Sequence, residues 1–225
     1  MHEFELGVWK AIFNHLLRIL YAHDGNSLPT LNARYRNTPT FGRETIRKVK
    51  ENVSGAKQLA ARDYEDLLQC AIPPFSGFLP PEHDKIVGGL LFELATWHAL
   101  AKLRLHTETT LKFLRGSTKR LGKDIRLFNS KVCSSYDTRE LPAEEAARRQ
   151  QRAAVPVNSS AAIHTAASAK GKGYRFNLET YKIHAMGHYE ECIRLFGTTD
   201  SYNTQTVLYF FPIYLGNTNR NARGN

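Results

Sequence analysis

Apolar residues recur at steps of three and four in long segments of the first 132 positions, and this spacing restricts the fold more than any other feature. Such steps place side chains on one face of an α-helix, whereas a half-buried strand requires alternation. The pattern runs through three long segments, 4–20, 82–105 and 111–132. It predicts a mainly α fold, a multi-helix bundle whose core is built from these faces.

Shorter segments complete the expected helices. We expect helices at 45–53 and 56–72, the second stopped by the prolines of "PPF", a charged helix at 140–154, and an amphipathic helix that ends at Gly197. Between the first and second helices, residues 23–43 carry glycines and prolines beside arginines and aromatic residues. This composition predicts a basic, aromatic loop.

Composition changes divide the chain into four parts. Residues 1–153 form the helical body, and 154–175 are small, polar and low in complexity, which predicts a flexible linker. Residues 176–205 carry the C-terminal helix and the string "GTTDSYNTQ". Residues 206–225 are very apolar and then abruptly polar, so this aberrant tail does not match the helical body.

Charge and cysteine content indicate the class of partner and the compartment. The formal net charge of +10 favours an anionic partner, most often nucleic acid, although a solvated basic surface explains it equally well. Cys70, Cys133 and Cys192 are odd in number and far apart, which favours a reducing, intracellular compartment. No apolar run reaches the length of a membrane span, so no membrane partner is expected.

Clustered cations beside an aromatic residue are the candidate DNA contacts, because cations neutralise phosphates and a tyrosine can stack on exposed bases. A solvated basic face is the alternative. The candidates are Arg34, Tyr35, Arg36, Arg43, Lys112, Arg115, Lys119, Arg120, Lys123 and Arg126.

The apolar row of the 111–132 helix forms a seam of about three heptads, which requires a helical partner. A coiled coil between chains would use this row for self-association or for binding a related protein. Packing against the helix of Trp97 in the same chain explains it as well. The seam residues are Leu111, Leu114, Leu121, Ile125 and Phe128.

Two groups of residues could hold a metal ion. His184, His188 and Cys192 recur every four residues, which could present two imidazoles and a thiolate to zinc, but a fourth ligand is not evident. The carboxylates of "ARDYED" are better explained as helix-start residues than as magnesium ligands. His98 is expected to be hydrogen-bonded at the edge of the core, beside Trp97. The sequence has no GxSxG, HExxH, Walker or GxGxxG motif.

Six strings in order resemble the carboxy-terminal part of Plavaka-type transposases, which are fungal relatives of the CACTA group. The resemblance covers roughly residues 2–205 and leaves the tail outside it. The strings are "HEFELGVWK", "RYRNTPTFGR", "AARDYEDLLQCAIPPFSGFLP", "LFELATWHALAKLRLHT", "DTRELPAEEAARR" and "YKIHAMGHYEECIRLFGTTDSYNTQ".

The resemblance implies that this chain is the helical insertion of an RNase H-like DDE transposase. Intact relatives would use three carboxylates and magnesium to cut and join DNA. None of those carboxylates matches a position here, and His2 is the one near-site residue carried over. The chain is therefore expected to be a truncated, catalytically inactive remnant of a nuclear transposable-element protein, with DNA or a full-length transposase as partner and no cofactor of its own. The alternative is a stand-alone helical module, for example a repressor of intact transposase.

The two ends of the chain carry a further expectation. Helical periodicity begins at once after Met1, so we expect Met1 to be an internal methionine used as a start. The apolar tail after Gln205 is expected to be translation into an unspliced intron.

Overall fold

The computed structural model describes residues 1–42, 45–55, 59–153 and 173–199. Within these ranges the chain is mainly helical, and extended pairing is limited to two isolated bridges, Phe41 with Ile46 and Arg139 with Gly173. The prediction of a mainly α fold is confirmed. In this part of the chain no helix is both long enough and apolar enough to span a membrane.

The described helices follow one another with short connections. A π-helical segment, Phe4–Trp9, leads directly into the first α-helix, and another, Phe128–Val132, continues the sixth. Single 3-10 turns cover Cys133–Ser135 and Met186–His188. The α-helices are α1 Lys10–His23, α2 Ser27–Asn37, α3 Ala61–Gln69, α4 Ile72–Phe75, α5 Pro81–Ala101, α6 Glu108–Leu127, α7 Pro142–Ala153, α8 Tyr181–Ala185 and α9 Tyr189–Phe196.

An antiparallel hairpin of α5 and α6 is the most extensively packed pair of helices. Trp97 is fully buried, and its indole Nε1 donates a hydrogen bond of 2.9 Å to Thr118 Oγ1 on α6. The N-terminal segment packs against this hairpin through Phe4, whose ring stacks on Trp97 at 4.6 Å between centroids. It also contacts α3, because Trp9 Nε1 donates to the carbonyl of Tyr64 at 2.8 Å. The N-terminal segment therefore lies in the centre of the bundle.

The seam of α6 is filled by the chain itself. Its five residues are each 5% exposed or less, and they belong to the continuous apolar core that includes α5. The intramolecular alternative is therefore the one that the structure supports. The expectation of self-association through this seam is therefore wrong, because it would require the α5–α6 hairpin to separate. The seam residues concerned are Leu111, Leu114, Leu121, Ile125 and Phe128.

The expectation of a basic loop over residues 23–43 is wrong for Ser27–Asn37, because these residues form α2. Pro29 occupies the first turn of α2, where its missing amide hydrogen costs no helical hydrogen bond. Leu28, Leu31 and Tyr35 then bury one face of the helix, at 8%, 0% and 0% exposure. Because these three residues are spaced by three and four, burying them stabilises the helix even though it contains Pro29.

The expected helix at 45–53 is also wrong, since no helix occurs there. Side-chain hydrogen bonds hold this segment in an irregular conformation instead. Asn32 donates through Nδ2 to Ser54 Oγ at 2.8 Å and accepts from the Ser54 amide at 3.1 Å. Arg47 binds Asp63 at 2.6 Å and Asp66 at 2.7 Å, which ties the segment to α3.

The helix expected at 56–72 is shorter in the structure: α3 starts later and ends earlier than expected. Asp63 accepts a hydrogen bond of 2.8 Å from the Ala60 amide, which fixes the start of α3 at Ala61. The helix ends at Gln69, before the prolines. Pro73 and Pro74 do not stop it; they lie in the first turn of α4, where proline is tolerated.

The other helical predictions hold with altered ends. Residue Leu105, placed in the 82–105 helix by its spacing, lies beyond α5 and is 77% exposed. The helix expected at 140–154 is α7. The C-terminal helix is divided into α8 and α9 by a 3-10 turn, and Gly197 caps α9 with φ of +85°.

Several expectations concern residues outside the described ranges. They are Arg43, positions 154–172 of the linker, positions 200–205 of the "GTTDSYNTQ" string and the whole tail. Of the expected linker, residues 173–175 are described and are held by the body, since the Tyr174 amide donates to the Thr138 carbonyl at 2.9 Å.

Candidate nucleic-acid interface

Four cations form an exposed row on α6, which we call the basic stripe: Lys112, Lys119, Lys123 and Arg126. At 3.6 residues per turn they fall within an arc of about 60°, on the side of the helix away from the seam. At a rise of about 1.5 Å per residue, the row is about 21 Å long. The seam fixes its orientation, because burying one face of an amphipathic helix exposes the other.

Carboxylates approach the basic stripe only at longer range. No carboxylate in the described ranges lies within salt-bridge distance of the four side chains. Glu108 and Asp124, on the same helix, act on Lys112 and Lys123 through longer-range attraction. The stripe is therefore a surface with excess positive charge that is available to an external anion.

Two other cations of α6 are bound by carboxylates from elsewhere in the chain. Arg115 forms a bidentate pair with Glu190 of α9, at 2.5 and 2.7 Å. Arg120 binds Glu93 of α5 at 3.0 Å. Both arginines remain more than half exposed, at 58% and 56% of the side chain. They flank the stripe but are partly neutralised.

An alternating chain of charges joins the start of α6 to α9. Arg194 binds Glu108 at 2.6 and 2.7 Å and Glu190 at 3.2 Å, and Glu190 also holds Arg115. Hydrogen bonds from Arg115, and then from Arg194, hold the pKa of Glu190 below its ordinary value. Glu190 is therefore ionised near neutral pH and competes with any external anion for Arg115.

The candidate DNA contacts in α2 make contacts within the chain instead and stabilise the fold. Tyr35 is fully buried, and its hydroxyl donates a hydrogen bond of 3.2 Å to the Leu67 carbonyl. The expectation that its ring stacks on exposed bases is therefore wrong. Arg34 donates to the carbonyls of Pro74 and Ser76 at 3.1 and 2.6 Å, and it lies over the Phe78 ring. Arg36 is bound to the side chain of Asn52.

The possible metal ligands are not brought together. In the described part of the chain, no three His, Cys, Asp or Glu side chains are grouped so that they could hold a metal ion. The 3-10 turn at Met186–His188 interrupts the regular spacing of His184, His188 and Cys192. Of the α3 carboxylates, Asp63 and Asp66 bind Arg47, and Glu65 binds Lys102 at 2.7 Å.

His2 lies beside a buried polar pair that the sequence did not reveal. Glu5 is 1% exposed, and its carboxylate is 3.1 Å from His98 Nε2 and 3.9 Å from His2 Nδ1. The expectation that His98 is hydrogen-bonded at the edge of the core is confirmed. Glu5 is a charged residue within the apolar first helix, next to Phe4, and this position was the sequence feature that could have indicated a buried partner for His98.

The described structure has two clefts, and both are lined by residues outside the basic stripe. One, of about 700 Å³, is lined by the 46–53 segment and α3, and the other, of about 1030 Å³, is lined by His15 and residues around 129–138 and 173–176. No residue of the stripe lines either of them. The stripe is thus an open helix surface, which suits an extended polymer better than a small molecule.

Comparison of the chain with protein-family models, with curated proteins and with solved structures finds no match in any of the three.

Proposed function

We propose that the helical body binds the phosphate backbone of DNA through the basic stripe and performs no catalytic step. One observation carries the proposal. Lys112, Lys119, Lys123 and Arg126 form a straight exposed row without a salt bridge to the described residues. Clustered cations of this kind bind nucleic acid by neutralising phosphates and releasing counterions.

The sequence resemblance to Plavaka-type transposases supports the same proposal from an independent direction. The helical insertion of such an enzyme would contact transposon or flanking DNA, and a nuclear location would follow. The clustered acidic residues of α3 are bound to arginine and lysine side chains, so we assign them a structural role. A protein–protein role through the α6 seam has less support, because that seam is buried within the chain.

A pair of lysine substitutions tests the proposal. Lys119→Ala with Lys123→Ala removes two cations of the stripe, whereas the control, Lys48→Ala with Lys50→Ala, removes the same charge from an exposed segment elsewhere. Binding to a labelled DNA duplex is measured by fluorescence anisotropy at 0.1 M salt. If each stripe lysine contacts one phosphate, the first pair weakens binding by about 60-fold.

The control pair should change the affinity by no more than about twofold, because contact with individual phosphates depends on position while net charge does not. Equal losses in the two double variants would show that binding follows net charge alone, and would remove the stripe as the interface. Circular dichroism spectra of the variants establish that both remain folded.

A further inference from the structure

The larger of the two clefts, of about 1030 Å³, lies where His15 of α1 meets residues from 129–138 and 173–176, and we call it the His15 cleft. The chain holds the last two of these segments together. The Tyr174 amide donates to the Thr138 carbonyl at 2.9 Å, and Thr138 Oγ1 donates to the Tyr174 carbonyl. Small-molecule sites are concave and of comparable volume, about 300 to 1,000 Å³. The His15 cleft therefore has room for a small organic ligand.

Two polar groups that line the His15 cleft have no hydrogen-bond partner in the described chain. His15 is 2% exposed, and its Nε2 makes no hydrogen bond to a described residue. Asn129 is half-buried, and its side-chain amide makes none either. Buried polar atoms are normally hydrogen-bonded, because losing contact with water is unfavourable unless a new partner replaces it. A ligand in the cleft would supply the partner that the described chain does not.

The charges around the His15 cleft favour an uncharged ligand. Asp137, in the lining, is bound by Arg139 at 2.6 Å, and the other charged lining residue, Arg175, is exposed to solvent. Arg18, which acts on His15, is bound by a glutamate of α7 at 2.6 Å. Burial, and then Arg18, lowers the pKa of His15 to about 4, so its imidazole is neutral at pH 7. An ion beside His15 would lose its hydration without gaining a counterion.

Aromatic rings surround His15 and favour a planar ligand. Phe128 lies edge-on to the imidazole at 6.3 Å between centroids, and Phe176 is tilted against it at 5.3 Å. Phe176, Tyr136 and Tyr174 are themselves part of the lining of the cleft. Aromatic side chains pack well against another ring, either offset or edge to face. The expected ligand is therefore a flat ring compound that also carries hydrogen-bonding groups.

A nucleobase has the hydrogen-bonding groups that these two residues require. In a neutral imidazole one nitrogen donates and the other accepts, so Nε2 of His15 needs either an acceptor or a donor. The amide of Asn129 needs both. The edge of adenine carries an amino donor beside ring-nitrogen acceptors, and it can therefore serve either tautomer of the histidine.

We propose that the His15 cleft binds an uncharged nucleoside, whose base lies against the aromatic lining and forms hydrogen bonds with His15 and Asn129. No residue of the basic stripe lines this cleft. The nucleoside site is therefore separate from the proposed DNA-binding surface, and each can fail without the other.

The test is titration calorimetry with adenosine at pH 7.5. A ligand of this size should bind with a Kd of about 0.1 mM. His15→Phe removes Nε2 but keeps an aromatic ring at this position, and Asn129→Ala removes the amide at a half-buried position. Each variant should weaken adenosine binding by about fivefold, which corresponds to the loss of one hydrogen bond. Ribose, which lacks the base, should give no binding heat.

The matched control is Lys48→Ala with Lys50→Ala, which alters the lining of the other cleft at exposed positions and should leave adenosine affinity unchanged. In protein labelled with ¹⁵N-histidine, adenosine should shift the Nε2 resonance that is missing from His15→Phe.

Three results would overturn the inference: no binding heat with adenosine, wild-type affinity in both His15→Phe and Asn129→Ala, or loss of binding in the lysine pair. Circular dichroism establishes that each variant is folded. If one of the two cleft variants does not fold, the other decides the outcome. Duplex DNA affinity should be the same in the wild type and both cleft variants.

Discussion

Replacing His15 by phenylalanine should remove a large part of the acid sensitivity of folding between pH 7 and pH 5. His15 is 2% exposed on α1, and its Nε2 makes no hydrogen bond to a described residue. Its ring lies edge-on to Phe128 and tilted against Phe176, at 6.3 and 5.3 Å between centroids. Burial, and then the positive charge of Arg18, lowers the pKa of His15 from 6.5 to about 4.

The sign and size of the effect follow from these two pKa values. Between pH 6.5 and about 4 the unfolded chain binds a proton at His15 and the folded chain does not. Protons therefore favour the unfolded state, and the contribution to stability is lost as the pH falls through this window. The loss is about 2 kcal/mol at pH 5 and approaches about 3 kcal/mol below pH 4.

Urea denaturation at pH 7.5 and pH 5 measures this directly. The free energy of unfolding should fall by about 2 kcal/mol less in His15→Phe than in the wild type. His106, whose pKa burial also lowers, contributes equally to both proteins and cancels in the difference. The control His184→Gln removes an exposed histidine and should behave like the wild type. Equal pH dependence in His15→Phe and the wild type would show that His15 is not held neutral in the fold.

Three further outcomes are expected. Glu190→Ala releases Arg115 and should raise duplex affinity at 0.1 M salt by about eightfold if Arg115 then reaches one phosphate; unchanged anisotropy titrations would show that it does not. Leu121→Ala removes a fully buried seam residue and should lower the free energy of unfolding in urea by about 2 to 5 kcal/mol; a loss below about 1 kcal/mol would contradict the packing of the hairpin. Purified protein should not nick plasmid DNA with magnesium or manganese, since Arg47 and Lys102 bind the α3 carboxylates; cleavage that a chelator abolishes would refute this.

The long helices could be predicted because their apolar rows are continuous over many turns. Irregular regions could not, since their conformations depend on contacts distant in sequence. Pro29 was interpreted as a breaker although the first turn of a helix tolerates proline. The spacing of Leu28, Leu31 and Tyr35 was the signal that could have identified α2 and the burial of Tyr35.

The candidate interface was predictable in part. Cations at exposed positions of an amphipathic helix can be read from the spacing alone. Which of them are already neutralised cannot, because the carboxylates that bind Arg115 and Arg120 lie 75 and 27 residues away in the chain. The fold brings these charges together and so leaves the basic stripe as the part of α6 that is open to an external anion.

The most direct test of the central claim is the salt dependence of duplex binding by the wild-type protein. If the four cations of the basic stripe each neutralise one phosphate, a plot of log affinity against log salt concentration should have a slope of about −3.6. Affinity would then fall by about 150-fold between 50 and 200 mM salt. A slope near zero, or no measurable binding at 50 mM salt, would contradict the account.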